Sequence, residues 1–398
     1  MQLADRMADL GTENAFKVLA EVNKLKSQGK DIISFGLGEP DFDTPANIKE
    51  AAINAIKQNY THYGPSAGLP ALREAIAKYI SRTRKIDVSP EEVVVTPGGK
   101  PVIFYTIFCL INPGDEVIYP NPGYQIYESI INFVGAKAIP VPMIEEKAFS
   151  MDVGQLESLI TPKTKMLVLN SPQNPTGGII EKNDLEAIAS LAKKHDIIIL
   201  ADEIYSEIIF EGQFNSIASI PGMKERTIIL DGLSKTYSMT GWRAGYGIFT
   251  REIAPHIANL ETNSVSCTAT FTQIASIEAL NGNQDETRRM VEIFKNRSKL
   301  IVDGLNDIKG IKCLRPKGAF YVFPNVTKAC KNLGFNTSEE FQQFLLHEAG
   351  VAVLPRSSFG VRNIGEKEEY VRLCYAVNDK EIIEGLSRIK KAVEKGHN

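Results

Sequence analysis

Ile228-Ile229-Leu230-Asp231-Gly232-Leu233-Ser234-Lys235 carries a β-branched, apolar run into a polar turn that ends on a lysine. The run reads as a buried strand, and it has counterparts. Val93-Val94-Val95, Glu116-Val117-Ile118, Met166-Leu167-Val168-Leu169 and Ile197-Ile198-Ile199-Leu200 recur between about residues 90 and 250, separated by longer amphipathic stretches. Alternation of this kind predicts βα units on a buried, mainly parallel sheet. Each run ends in polar or glycine residues, as in Thr96-Pro97-Gly98-Gly99, Asn170-Ser171-Pro172 and Ala201-Asp202-Glu203. Ligands of open α/β sheets gather outside the carboxyl ends of the strands, so the chemistry is expected there.

Outward from this sheet, residues 253–305 are largely helical in pattern, and 318–323 and 370–374 read as strands of a second, α+β unit. A chain of 398 residues suits one large domain beside a smaller one. The division expected is an N-terminal arm with part of the small domain at 1–45, a large domain at 46–290 and the small domain at 291–398. Hydrophobic residues at 43%, charged residues at 23% and a net charge of -3 are ordinary globular values that call for neither nucleic acid nor an anionic membrane. No stretch reaches the ~20 apolar residues of a membrane helix, and the first residues carry no apolar run long enough for a signal peptide. Five cysteines, an odd number without a CxxC pair, read as buried thiols in a reducing compartment, so a cytoplasmic location is expected. The five histidines are scattered, and His347-Glu348 lacks the second histidine of a zinc helix, so no metal is expected.

A lysine directly after an apolar strand suits Schiff-base chemistry with an aldehyde cofactor, although alone Lys235 also fits a solvated surface lysine. Its company decides. Asp202 ends the strand Ile199-Leu200-Ala201, with Tyr205 three residues on. Pyridoxal phosphate (PLP) needs a carboxylate to keep its pyridine nitrogen protonated and a donor to its phenolic oxygen. Asn174, in Asn170-Ser171-Pro172-Gln173-Asn174-Pro175-Thr176-Gly177-Gly178, is a second such donor. Taken singly, Asp202 also fits a helix N-cap, Tyr205 a packing aromatic and Asn174 a plain Asn-Pro turn. Thr96-Pro97-Gly98-Gly99-Lys100-Pro101 has the form of a glycine turn feeding a helix whose free N–H groups bind phosphate, and Arg243 can add a charged contact.

With these pieces in order, the chain resembles the class I aminotransferases of the PLP-dependent fold type I superfamily, nearest the aspartate aminotransferase-like subgroup. The similarity runs from about Ile32 to Ala376 and rests on SKTYSMTGWRAGY, NSPQNPTGG and ADEIY as an ordered set. The resemblance implies an α/β fold with a mainly parallel seven-stranded sheet in the large domain and a smaller α+β domain. It implies that Lys235 is the Schiff-base residue and proton shuttle, that Asp202 pairs with the pyridine nitrogen, and that Tyr205 and Asn174 contact the phenolic oxygen. Gly99 and Lys100 then form the phosphate cradle with Arg243, and Tyr124 stacks on the cofactor ring. Tyr63 would reach the phosphate from the neighbouring subunit of a homodimer with shared sites. Arg372, in Tyr370-Val371-Arg372-Leu373-Cys374, and the backbone of Gly38 would receive the substrate α-carboxylate.

The pattern is departed from at three places. Gly232 replaces a frequent phosphate-binding serine, a contact Ser234 can take over; Pro101 replaces a common glutamine; and Arg356 stands where glycine is usual, read as an exposed, solvated arginine. The activity expected is amino transfer by a ping-pong mechanism between an L-amino acid and a 2-oxo acid such as 2-oxoglutarate. Aspartate is the first choice of donor, since Lys100 can meet a distal carboxylate, and alanine and aromatic amino acids follow. A carbon–sulfur β-lyase is the alternative on the same fold, and a non-catalytic PLP-binding regulator a remote third.

Overall fold

The computed structural model describes residues 2–11 and 14–395. A two-residue strand, β1 (Ile33–Ser34), precedes the eight strands of the main sheet. These are β2 (Val93–Thr96), β3 (Glu116–Asn121), β4 (Lys137–Ile144), β5 (Ser150–Met151), β6 (Thr164–Asn170), β7 (Ile198–Asp202), β8 (Thr227–Gly232) and β9 (Gly245–Ile248). Their spatial order is β2-β9-β8-β7-β6-β3-β4-β5. The five strands from β8 to β4 are mutually parallel, whereas β9 runs antiparallel to both its neighbours. The sheet therefore has one strand more than the seven expected. The addition, β5, is a two-residue antiparallel extension on the edge of β4, too short for any periodicity to announce it.

Strand residues alternate between two apolar layers, as the pleat demands. Met166 and Val168 pack on one face with Val117, Leu200 and Ile228, while Leu167 and Leu169 pack on the other with Ile118, Ile199 and Ala201. Both faces are covered, which is why these strands read as unbroken apolar runs. Every residue of β2, β3 and β8 is buried.

The second unit has a three-stranded antiparallel sheet of β10 (Tyr321–Val322), β12 (Leu354–Pro355) and β13 (Val371–Cys374), with β13 in the middle. The strand β11 (Val351–Ala352) pairs in parallel with β1, so the N-terminal stretch joins this unit. Ile33 and Phe35 share one core with Phe294, Phe320, Leu373 and Ile382. The helix Asp285–Asn306 buries Thr287, Met290, Phe294, Arg297, Ile301 and Leu305 at three- and four-residue spacing, and so lays one stripe on that core. Among the described residues no helix is long and apolar enough to cross a membrane.

Candidate active site

Asn170, Asp202 and Gly232 end three adjacent parallel strands, and the cavity of about 510 Å³ beyond them is lined by Asn174, Asp202, Ser234, Lys235 and Arg243. Gly38, Gly99, Lys100, Tyr124, Tyr205 and Arg372 line it as well, so every predicted site residue except Tyr63 converges there. Tyr63 lies elsewhere on the chain surface, 89% exposed.

Asp202 is buried at the end of β7. Its Oδ2 accepts a hydrogen bond from Tyr127 Oη at 2.5 Å and its Oδ1 one from the Ile204 N–H at 3.3 Å. Burial raises this carboxyl to about 6, because no cation in the chain fully offsets its lost hydration. Lys235 sits on the short helix that follows β8, and its Nζ donates to the Gly38 carbonyl at 2.6 Å. Burial lowers this amine to about 8. Tyr205 and Tyr321 share a hydrogen bond at 2.7 Å, fixing the Tyr205 hydroxyl. A side chain on Gly38 would displace the Tyr321 ring, since a Cβ would lie 2.1 Å from Tyr321 Oη.

At the other end of the cavity, Gly99 precedes the helix Lys100–Leu110, and Pro101 sits in its first turn. Gly98 has φ +90°, and a Cβ there would lie 2.3 Å from Arg243 Nη2, so the turn and the guanidinium are in close approach. Arg243 itself has φ +53°, a left-handed backbone that a non-glycine residue keeps only when its surroundings impose it. Gly232 is extended, and a Cβ on it would crowd Gly245 Cα at 3.1 Å, while Ser234 lines the cavity. A cradle of helix N–H groups, a hydroxyl and a guanidinium faces a buried acid, with a lysine in the same cavity. The residues present fit PLP.

Arg372, on β13, is 4% exposed. It donates from Nη1 to Asn174 Oδ1 at 3.0 Å and from Nη2 to the Gly36 carbonyl, and its guanidinium carbon lies 4.6 Å from the Tyr321 ring centroid and 5.1 Å from that of Phe359. Its Nε has no hydrogen-bond partner, and its terminal nitrogens bond an amide oxygen and a backbone carbonyl rather than a carboxylate, so it is not the strand arginine of a structural ion pair. A buried, uncompensated guanidinium is costly until an anion arrives, and the fork suits a carboxylate. Because Asn174 Oδ1 faces Arg372, the donors of its Nδ2 are directed to the other side.

Arg356 corrects the sequence reading. It is fully buried rather than solvated, and it pairs through Nε and Nη2 with both oxygens of Glu366 at 2.6 and 2.9 Å. It does not line the cavity. Also unforeseen were Tyr127, Tyr321 and Phe359 in the cavity wall, and a buried network behind it in which Arg84 bonds Glu203 at 2.8 Å and Asp231 at 2.7 Å. The partners in each case lie far apart in sequence, and no spacing rule connects them.

Residues 30–389 match the family described as aminotransferase class I and II. A probable aspartate/prephenate aminotransferase of Aquifex aeolicus (strain VF5) is 39% identical over 98% of both chains. An asparagine–oxo-acid transaminase of Streptococcus mutans is 39% identical, covering 99% of this chain and 100% of that one. The crystal structure of the aspartate aminotransferase from Rhizobium meliloti superposes with a TM-score of 0.93 at 35% identity over 99% of both chains. Fold, site geometry and likeness agree over nearly the whole chain, which belongs to the class I and II aminotransferases and is a PLP-dependent enzyme of fold type I.

Proposed function

We propose that the chain moves the amino group of L-aspartate, with alanine and aromatic amino acids as slower donors, to 2-oxoglutarate. The observation that carries this reading is the presence in one cavity of Lys235, Arg372 with its unpartnered Nε, and Lys100. Bound PLP supplies the electron sink for the charge left at the substrate α-carbon. The remaining requirements fall to the chain. Arg372 and the Gly38 backbone hold the α-carboxylate and so orient the Cα–H bond. Lys235 Nζ, lowered to about 8 by burial, has a neutral fraction near physiological pH and takes the α-proton there. Asp202 would keep a negative charge beside the cofactor's ring nitrogen, and Tyr205 and Asn174 would supply donors to its phenolic oxygen. Gly99, the Lys100 N–H, Ser234 and Arg243 would hold its phosphate, and Tyr124 would pack on its ring.

The distal carboxylate of aspartate or 2-oxoglutarate is assigned to Lys100, whose Nζ lies 5.7 Å from the Phe16 ring centroid and 5.9 Å from that of Tyr124. Lys100→Ala should lower kcat/KM for both dicarboxylates by roughly 100-fold while changing alanine and phenylalanine by less than about threefold. Equal losses across the four substrates would leave Lys100 a cofactor ligand only.

The homodimer belongs to the same proposal, with Tyr63 completing the partner's phosphate site. Its 89% exposure supports the reading, as does the anchoring of its neighbours: Thr270 Oγ1 donates to the Tyr60 carbonyl at 2.7 Å and also meets that of His62. The shared core of Ile33, Phe35 and the C-terminal elements supports the division at 1–45, 46–290 and 291–398. Five free cysteines support a reducing, cytoplasmic location.

A further inference from the structure

Arg356 is the largest side chain that the fold buries completely, and it is charged. Its guanidinium grips Glu366 with two parallel hydrogen bonds, donates from Nη1 to the Gly360 carbonyl at 3.2 Å, and from Nη2 reaches Asn121 Oδ1 at 2.9 Å. Asn121 is the last residue of β3 in the main sheet, whereas Arg356 and Glu366 belong to the loop that follows β12 in the second unit. Asn363 completes the connection: its Nδ2 donates to Glu366 Oε2 at 3.0 Å and to the Asn121 carbonyl at 3.1 Å. Asn121 Nδ2 in turn donates to the Val361 carbonyl at 2.6 Å. One buried ion pair thus fastens loop 356–366 to the turn that begins with Asn121 and carries Tyr124.

Two residues of the cavity wall are tied to this knot. Phe359 lies within the loop, its carbonyl accepts from the Gly123 N–H at 3.0 Å, and its ring centroid stands 5.1 Å from the Arg372 guanidinium. Tyr124 follows Gly123 directly and lines the same cavity. Phe359 packs on Phe323 in the core, but the rest of the loop has little apolar burial: Val361 is 57% exposed and Ile364 fully so, so polar contacts hold that part. A bidentate, desolvated pair is directional, and breaking it strands a charge, so it sets a single loop position where an apolar plug would tolerate several.

We propose that Arg356 is a positioning residue for substrate: with Glu366 it fixes Phe359 against Arg372, and Gly123-Tyr124 against Phe359, and so sets the geometry in which the α-carboxylate is received. The inference rests on the assignment of Arg372 to the α-carboxylate. It predicts a loss common to all substrates, since every amino acid and 2-oxo acid presents that group. A residue that read side-chain carboxylates directly would single out the dicarboxylates.

The test is steady-state kinetics of the holoenzyme with aspartate, alanine, phenylalanine and 2-oxoglutarate. In Arg356→Met, KM should rise by a common factor of roughly tenfold, with kcat reduced less than about threefold and the cofactor absorbance unchanged. Arg356→Lys, which keeps the charge but not the fork, should fall between Met and the parent. Glu366→Gln should shift KM in the same direction, and it alone decides the matter if Arg356→Met does not fold. KM values within twofold of the parent, or a loss confined to the dicarboxylates, overturn the proposal. Arg372→Lys is the control. Unchanged KM there removes the α-carboxylate assignment itself, whereas raised KM there with unaffected Arg356 and Glu366 variants removes only the positioning role.

Discussion

Asp202 and Lys235 are moved by one cause in opposite directions: burial disfavours charge, so the acid rises and the base falls. For Asp202 the shift is from an ordinary 3.8 to about 6. Between those values the folded apoprotein holds a proton that the unfolded chain has released. Stability therefore falls as pH rises through this window, and above 6 the penalty is complete, on the order of 3 kcal/mol for a two-unit shift. Asp202→Asn removes the ionisable group while keeping an acceptor for Tyr127. In urea denaturation of the apoprotein the variant should be the more stable at pH 8, and its advantage should vanish by pH 4. Parallel pH dependences for the two proteins would mean that Asp202 is not the buried, uncompensated acid. Bound PLP should reverse the balance in the parent, because a cation at the pyridine nitrogen favours the ionised carboxylate. At this scale the sequence was most readable: Lys235, Asp202, Tyr205 and Asn174 are chemically distinctive residues at fixed places after apolar runs. Arg356 was misread because its partners Glu366 and Asn121 are 10 and 235 residues away, and a lone arginine gives no sign of which carboxylate it will meet.

The strands that position the site were legible for the reason that they are buried on both faces, which makes them apolar without interruption. What escaped were elements made by pairing rather than by pattern: β5, with two residues, and β1 with β11, which exist only because distant segments lie side by side. Tyr127 and Tyr321 were missed on the same grounds, their bonds to Asp202 and Tyr205 spanning 75 and 116 residues. The antiparallel strand β9 has a role that pairing alone reveals. A Cβ on Gly245 would lie 2.4 Å from Gly98 C, 2.6 Å from Gly99 N and 2.7 Å from Gly98 O, all of them backbone atoms. The Gly98-Gly99 turn rests directly on this strand. Gly245→Ala should push the turn away from Arg243, raising the Kd for PLP at least about tenfold and costing roughly 1–3 kcal/mol of stability. Titration of the apoprotein with PLP and thermal unfolding measure the two effects. Gly241→Ala, where a Cβ meets nothing within 4 Å, is the comparison variant and should leave both unchanged.

Across the whole molecule, the chain encloses its cavity with residues from both units yet leaves Tyr63 on the outside with its ring in solvent, while Thr270 bonds the carbonyls of its neighbours Tyr60 and His62. Phe16, Phe108 and Val265 are further large apolar side chains left 43–54% exposed. A second copy lying over Tyr63 would account for its exposure, and subunit mixing separates that arrangement from a self-sufficient chain. On the proposed roles, Lys235→Ala subunits should be inactive and Tyr63→Phe subunits should lack one phosphate contact. If Tyr63 acts across the interface, a hybrid dimer holds one wholly native site, built from the intact lysine of the Tyr63→Phe subunit and the intact tyrosine of its Lys235→Ala partner. Statistical mixing makes half of the dimers hybrids, so roughly a quarter of the parental sites should be native and the activity should exceed the mean of the two separate variants. Mixing Lys235→Ala with Arg243→Ala should give no such gain, because Arg243 lines the same cavity as its own Lys235 and each hybrid site then lacks one of the two. Gain in neither mixture would return Tyr63 to its own chain, gain in both would mean that mixing alone raises activity or that Arg243 also acts across the interface, and a monomer at assay concentration would remove the shared site altogether.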